Sequence, residues 1–177
     1  MKKLAVIFPG MNYNSNKPLL YYIKKILIKE EFEVVEIEYG NLPKEKEEAF
    51  KIAKDKANEG VKEISWSNYD EILFVSKSIG TVVAGVIASK LNVKVRQIWL
   101  TPVNESLPFI INDGIVFSGK SDPMITTSLL ISECDNNKIT LYLYDRGNHS
   151  IETGIIKENL RILEDIIDKC EKYILNI

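Results

Sequence analysis

The 177-residue sequence has no apolar run of membrane-spanning length, and it contains only two cysteines and one histidine. A spanning helix needs about 20 consecutive apolar residues, so we expect no membrane partner. The start MKKLAVIFPG resembles a signal peptide, but Leu4–Phe8 is too short for the apolar region and Pro9-Gly10 ends it. Cys134 and Cys170 lack metal-ligand spacing. We interpret them as reduced structural thiols of a cytoplasmic protein.

The chain also lacks an excess of basic residues. Its net charge is −2, its pI is about 5.6, and lysines and glutamates are interleaved along its length. A nucleic-acid-binding protein ordinarily carries a basic face or stripe, so we expect no nucleic-acid partner. There is no repeat or linker, and the length suits a single domain over residues 1–177, as a monomer or a homodimer.

Short β-rich runs alternate with longer helical patterns along the chain. The predicted strands are Leu4–Phe8, Glu33–Tyr39, Glu71–Val75, Val93–Leu100, Gly114–Ser118 and Ile139–Tyr144. The predicted helices are Pro18–Glu30, Lys44–Gly60, Ile79–Leu91, Met124–Ile131 and Glu152–Ile174. Pro18 and Pro123 fit the first turns of their helices. The last helix predicts one buried stripe of apolar residues at helical spacing: Ile155, Ile156, Leu160, Leu163, Ile166, Ile167 and Cys170.

Strands that alternate with helices are typical of βαβ units and a parallel sheet. Several runs, such as LAVIF and EILFV, are almost continuously apolar, as in strands covered on both faces. We therefore predict an α/β fold, a three-layer sandwich whose mostly parallel six-stranded sheet has helices on both faces. Ligands of such sheets bind beyond the carboxyl ends of the strands.

One strand end carries a serine in a tight turn. The segment from Tyr69 to Leu91 contains an apolar run, the turn SKSIG and a helix rich in small residues. This is the layout of a nucleophile elbow, whose usual pattern is G-x-S-x-G. Ser76 replaces the first glycine, and we expect its small side chain to pack tightly against the turn. Lys77 is interpreted as solvated, and Ser78, taken alone, also fits a turn or helix-capping residue.

Two more strand ends carry groups that could work with this serine. The loop KSDP offers Asp122, and the loop DRGNHS offers His149. A serine nucleophile needs a base, and the imidazole needs an acid. Alone, Asp122 fits a helix cap and His149 a surface residue, but the order serine, acid, histidine favours a catalytic triad. Asp145, in the histidine's own loop, and Asp70, at the opposite end of the sheet, are weaker alternatives for the acid.

The motifs SKSIG, SGKSDP and DRGNH resemble those of α/β-hydrolases, in particular the small, lidless dienelactone-hydrolase-like and esterase- or thioesterase-like proteins. The resemblance extends from Leu4 to the last helix. It implies that Ser78 is the nucleophile, Asp122 the acid and His149 the general base. The antiparallel two-strand start of the family is missing, so we expect a minimal six-stranded sheet.

The same resemblance implies an oxyanion hole made by the backbone N–H groups of Met11 and Ile79. Pro9-Gly10 stands where many family members carry His-Gly, and this change leaves a backbone donor possible. It implies no metal and no organic cofactor.

The connection from Thr101 to Gly114 has little room for a lid. It predicts an open, shallow site for small acyl groups. The expected substrate-binding residues are Gly10, Asn12, Tyr13, Pro102, Val103 and Met124. We expect hydrolysis of small carboxylic esters or thioesters. The same triad would serve an acyltransferase, amidase or peptidase, and a catalytically silent scaffold that acts as a binding module is a further alternative.

Overall fold

Six parallel strands form one sheet in the computed structural model, which describes residues 1–111 and 113–176. The strands are β1 Lys3–Phe8, β2 Phe32–Glu36, β3 Glu71–Lys77, β4 Arg96–Leu100, β5 Gly114–Gly119 and β6 Thr140–Tyr144. Their spatial order is β2-β1-β3-β4-β5-β6. The chain first extends the sheet from β1 to β2 and then returns to add β3 on the other side of β1. This reversal creates a crevice at the carboxyl ends of β1 and β3, where open α/β sheets bind ligands.

Helices cover both faces of the sheet, which confirms the predicted three-layer sandwich. They are α1 Pro18–Lys29, α2 Lys46–Val61, α3 Ile79–Ala88, α4 Thr127–Asn137 and α5 Ile156–Leu175, with short 3₁₀ helices at Trp66–Asn68 and Asn104–Phe109. The side chains of α1 and α5 pack on one face, and those of α2, α3 and α4 pack on the other. No helix in the two described ranges is both long enough and apolar enough to cross a bilayer.

Strand β3 shows why both faces are apolar. Leu73 and Val75 point to the α1–α5 layer, whereas Ile72 and Phe74 point to the α2–α3 layer. All four side chains are buried. Successive side chains of a strand point to opposite faces, so a central strand between two helical layers needs apolar residues at nearly every position.

The structure differs from the sequence prediction at both ends of α4, which ends at Asn137 instead of Ile131, and at the start of α5. Helix α4 begins at Thr127 instead of Met124, because the Asp122 carboxylate accepts the Met124 N–H at 2.9 Å and bends the chain there. The placement of Pro123 in the first turn of this helix is therefore wrong. Pro18 does occupy the first turn of α1, as predicted.

Helix α5 also starts late, at Ile156 instead of Glu152. The Asn148 side-chain oxygen accepts the N–H groups of Ser150 and Glu152, which holds the preceding residues in a loop. The predicted buried stripe also fails at its first positions, where the exposed fractions are 47%, 71% and 61% for Ile155, Ile156 and Leu160. The stripe is buried farther along the helix, at Ile166 and Cys170.

Strands β2 and β4 are both shorter than predicted. Strand β2 stops at Glu36, which pairs with Ile7, so Ile37–Tyr39 lie beyond the sheet. Strand β4 starts at Arg96, which pairs with Leu73.

Both cysteines are buried and free, as the sequence predicts. Burial raises the pKa of the Cys134 thiol to about 11 and also raises the pKa of Cys170. Thiols with such values stay protonated at neutral pH and are poor nucleophiles.

Gly119 lets the loop after β5 touch the loop after β6. A Cβ added at Gly119 would lie 2.0 Å from the Gly147 carbonyl oxygen, a backbone atom that cannot move alone. We expect Gly119→Ala to lower the free energy of unfolding by about 3 kcal/mol. Gly60→Ala is the matched control, because its Cβ would meet only the end of the Ile37 side chain. Equal stabilities of the two variants in urea unfolding would contradict this expectation.

Candidate active site

Ser78 occupies the sharp turn between β3 and α3. Its backbone has φ 54° and ψ −125°, a strained conformation for a residue with a Cβ. The Ser78 N–H donates to the Leu100 carbonyl at 3.1 Å. The Ser78 carbonyl accepts the Thr81 hydroxyl at 2.6 Å. These bonds fix the turn from the side of β4 and from the first turn of α3.

The loop after β1 packs directly on this turn. A Cβ added at Gly80 would lie 2.3 Å from the Phe8 carbonyl oxygen, so only glycine lets α3 start this close to β1. On the other side of the contact, a Cβ added at Gly10 would lie 3.2 Å from the Ser78 Cβ. The end of β1 and the serine turn are thus in close contact.

Ser76 is fully buried, and its hydroxyl is 3.4 Å from the Ile98 carbonyl oxygen, which it faces as a donor. The side chain is buried, as expected, and its hydroxyl faces β4. This serine replaces the usual glycine of the motif without exposing a second hydroxyl beside Ser78.

The structure brings Ser78, His149 and Asp122 together from three strand ends. His149 Nε2 is 2.8 Å from the Ser78 hydroxyl oxygen, and His149 Nδ1 is 2.8 Å from Asp122 Oδ2. Because a carboxylate accepts, Nδ1 is the donor of this pair, which leaves Nε2 to accept the serine proton. The Asp122 side chain is fully buried and that of His149 is 28% exposed. This arrangement can remove a proton from the hydroxyl of Ser78 and hold it on the imidazole.

The two alternative acids lie elsewhere. The Asp145 carboxylate pairs with the Lys120 ammonium at 2.7 Å, and its side chain is 80% exposed. The Asp70 carboxylate accepts the Lys2 N–H, at the amino-terminal end of the sheet. Asp122, whose second oxygen is held by the Met124 N–H, is the carboxylate that contacts the imidazole.

Two backbone N–H groups flank the serine turn. Met11 follows Gly10 in the loop that packs on Ser78, and Ile79 is the first residue of α3. Within residues 1–111 and 113–176, neither N–H donates to a protein acceptor. By contrast, the Gly10 N–H donates a hydrogen bond to the Tyr13 carbonyl at 3.0 Å. The N–H groups of Met11 and Ile79 are the two that the sequence resemblance implies for an oxyanion hole.

A cavity of about 500 Å³ opens beside Met11, between the loop after β1 and the segment after β2, and Ser78, Ile79 and His149 do not line it. Of the substrate-binding residues predicted from the sequence, Gly10, Asn12 and Tyr13 line it, as does Met11. The far wall was not predicted. It is formed by residues 36–42, which include Glu36, Glu38, Tyr39 and Asn41. The available signal was that β2 ends at the same edge of the sheet as β1.

The other three predicted substrate-binding residues are not part of this cavity. Pro102 and Val103 are buried behind the end of β4, and Met124 is 41% exposed on the acid loop. The connection that follows them packs against α3, where the Phe109 ring lies over Gly85. Ser106 and Ile110 of this connection are buried, whereas Asn104, Glu105, Pro108 and Ile111 are exposed.

Lys77 is not solvated, so the interpretation from the sequence was wrong. Only 2% of it is exposed, and it follows Leu73 and Val75 on the inward face of β3. Its ammonium donates to the Thr101 hydroxyl at 2.6 Å and to the His149 carbonyl at 2.9 Å. Desolvation lowers the pKa of Lys77 to about 8, although nearby carboxylates partly oppose this shift. The signal that could have found it is the two-residue period of the strand.

The lowered pKa of Lys77 predicts a pH-dependent stability. The folded state releases this proton near pH 8, whereas the unfolded state retains it to about 10.5. The contribution of Lys77 to the free energy of unfolding therefore increases as the pH rises above 8. Relative to Lys77→Met, wild type should gain about 2 kcal/mol between pH 7 and 9.5 in urea unfolding. Lys120→Met, at an exposed lysine, should show no such gain, and a flat difference for Lys77→Met would refute the assignment.

No protein-family model and no curated protein matches the chain, but solved structures share its fold. A Xanthomonas campestris protein assigned to the α/β-hydrolase superfamily has 9% identity and a TM-score of 0.76, over 99% of this chain and 100% of that one. Est1E from Butyrivibrio proteoclasticus, solved with bound ferulic acid, has 11% identity and a TM-score of 0.70, over 98% and 88%. A Xanthomonas campestris serine hydrolase without a lid has 15% identity and a TM-score of 0.67, over 98% and 81%.

At these identities the likeness concerns the fold. The sheet order, the parallel strands and the two helical layers all agree with it. The chain has the α/β-hydrolase fold, in a minimal form with six strands.

Proposed function

We propose that the protein is a serine hydrolase that cleaves small carboxylic esters or thioesters through an acyl-enzyme. The observation that carries this proposal is the hydrogen-bonded series Asp122–His149–Ser78, with both contacts at 2.8 Å and the serine on a strained turn. Structural neighbours that include esterases support it at the level of the fold.

The geometry supports a two-step reaction. The Ser78 oxygen attacks the substrate carbonyl carbon while its proton moves to His149 Nε2. Asp122 stabilises the resulting imidazolium through Nδ1. The negative oxygen of the tetrahedral intermediate accepts hydrogen bonds from the N–H groups of Met11 and Ile79. Collapse of this intermediate breaks the bond to the alcohol or thiol, which leaves with the proton from His149.

Water then takes the place of the leaving group. His149 removes one proton from the water, whose oxygen attacks the acyl carbon and forms a second tetrahedral intermediate. The bond to Ser78 breaks, the serine regains its proton from His149, and the carboxylic acid is released. The reaction consumes one water: the proton that Ser78 loses leaves with the alcohol or thiol, and a proton from the water replaces it on Ser78.

The role of Ser78 predicts selective labelling by a fluorophosphonate. The serine oxygen should bond to phosphorus as fluoride leaves, and mass spectrometry should place the adduct on Ser78. Ser78→Ala should remain unlabelled and lose 4-nitrophenyl acetate hydrolysis by on the order of 10⁴-fold. Ser76→Ala is the matched control from the same turn and should still be labelled. Failure of the wild type to react would favour a catalytically silent scaffold, and full activity of Ser78→Ala would overturn the assignment.

The short connection after β4 predicts a preference for short acyl chains. Phe109 of this connection packs on α3, and the connection is too short to add a lid, so a long chain would gain little burial. With 4-nitrophenyl esters, kcat/KM should be highest for acetate or butyrate and lower for chains of twelve or more carbons. Faster hydrolysis of the long-chain esters would contradict an open site for small acyl groups.

A further inference from the structure

A buried ammonium lies directly below the serine turn. Lys77 is the residue before Ser78, and its Nζ reaches two other strand ends. It donates to the Thr101 hydroxyl after β4 and to the His149 carbonyl in the loop after β6. It also lies 4.6 Å from the centre of the Tyr13 ring, which belongs to the loop after β1. One side chain thus contacts three of the loops that surround the site.

Burial of this ammonium destabilises the folded protein. An ammonium that leaves water loses its hydration, and two hydrogen bonds and an aromatic ring replace only part of it. Asp122 and Glu152 supply the nearby negative charge, but the pKa of Lys77 remains lowered by burial. A methionine would fill a similar volume without this cost. A costly charge inside a candidate active site indicates a role other than stability.

The contact with His149 is the one that bears on the reaction. In the described part of the chain, Lys77 is the donor that reaches the His149 carbonyl. Nearby main-chain bonds of this loop hold its flanks instead, through the Gly147 carbonyl and the Asn148 carbonyl. The Lys77 bond therefore joins the backbone of the histidine to the residue next to Ser78, by a path separate from the bond between the two side chains.

We propose that Lys77 is a positioning residue of the hydrolase reaction, whose ammonium holds the His149 backbone at the place where Nε2 meets the Ser78 hydroxyl. The proposal rests on the function proposed above. Without this hydrogen bond to the His149 carbonyl, the imidazole would keep its Asp122 partner but would sample positions away from the Ser78 hydroxyl. A displacement of about 1 Å in such a pair lowers the rate about 100-fold.

The test compares Lys77→Met, Thr101→Val and Lys120→Met with the wild type, using 4-nitrophenyl acetate. We expect Lys77→Met to lower kcat about 100-fold with little change in KM, because positioning affects the reacting pair more than binding. Thr101→Val removes the other hydrogen-bond partner of the ammonium and should cost less than 5-fold by the same reasoning. Lys120→Met removes an exposed lysine near the acid loop and should be neutral.

A second variant separates positioning from misfolding. Lys77→Ala leaves a space that propylammonium matches in length and charge, so this cation should restore much of the lost kcat. 1-Propanol has a similar size and no charge, and it should restore none. If Lys77→Met does not fold, as judged by circular dichroism, the rescue of Lys77→Ala still decides the matter.

The outcomes distinguish the two proposals. A wild type that neither reacts with a fluorophosphonate nor hydrolyses the ester overturns the proposed function. A reactive wild type with Lys77→Met at full kcat overturns the positioning role alone, and so does a loss in Thr101→Val equal to that in Lys77→Met. Equal rescue of Lys77→Ala by propanol and propylammonium would also overturn it, since packing would then account for the effect.

Discussion

A serine at φ 54° persists only where contacts with neighbouring residues exclude backbone conformations of lower free energy. Here the Leu100 carbonyl of β4 accepts a hydrogen bond from the Ser78 N–H, and the Thr81 hydroxyl of α3 donates one to the Ser78 carbonyl. The end of β1 presses on the same turn, at a distance that only Gly80 tolerates. The strain at Ser78 is therefore maintained by the pairing of β1, β3 and β4. The position of the hydroxyl then sets where the histidine and acid loops must lie.

The order of the strands brings those loops within reach. Strands β4, β5 and β6 follow β3 across the sheet, so their carboxyl ends line up along one edge. Gly119 and Gly147 let the acid and histidine loops touch, and the Ser121 N–H bonds the Gly147 carbonyl at 2.9 Å. The two loops are thus bonded to each other beside the serine turn, which helps a six-stranded sheet to hold three side chains at hydrogen-bond distance.

The sequence predicted the sheet well because its signals are local. Apolar runs with a two-residue period alternate with helical patterns, and the parallel arrangement follows from that alternation. The same logic brought Ser78, Asp122 and His149 to one edge, since each lies in the turn or loop that follows a strand. The structure places their side chains in contact.

The failures have a different cause: they depend on side chains that bond to the backbone or on contacts between distant segments. Asp122 and Asn148 bind nearby N–H groups and delay α4 and α5, a competition that helical periodicity does not reveal. The far wall of the cavity, at residues 36–42, meets the loop after β1 only in the folded chain. Lys77 was misjudged because its charge favoured solvent, whereas its place in the strand points inward.

The end of β3 combines two features that work against stability. Ser78 has a strained backbone and Lys77 a buried charge, and the two residues are adjacent in the chain. Elsewhere most charged groups lie in solvent, but Arg96 is also buried, and Thr101 and Ile151 also have positive φ. Departures of this kind are expected where function overrides local consistency. Since both would be removed by ordinary substitutions, their presence at one strand end is best explained by a shared task, the alignment of a hydroxyl with an imidazole.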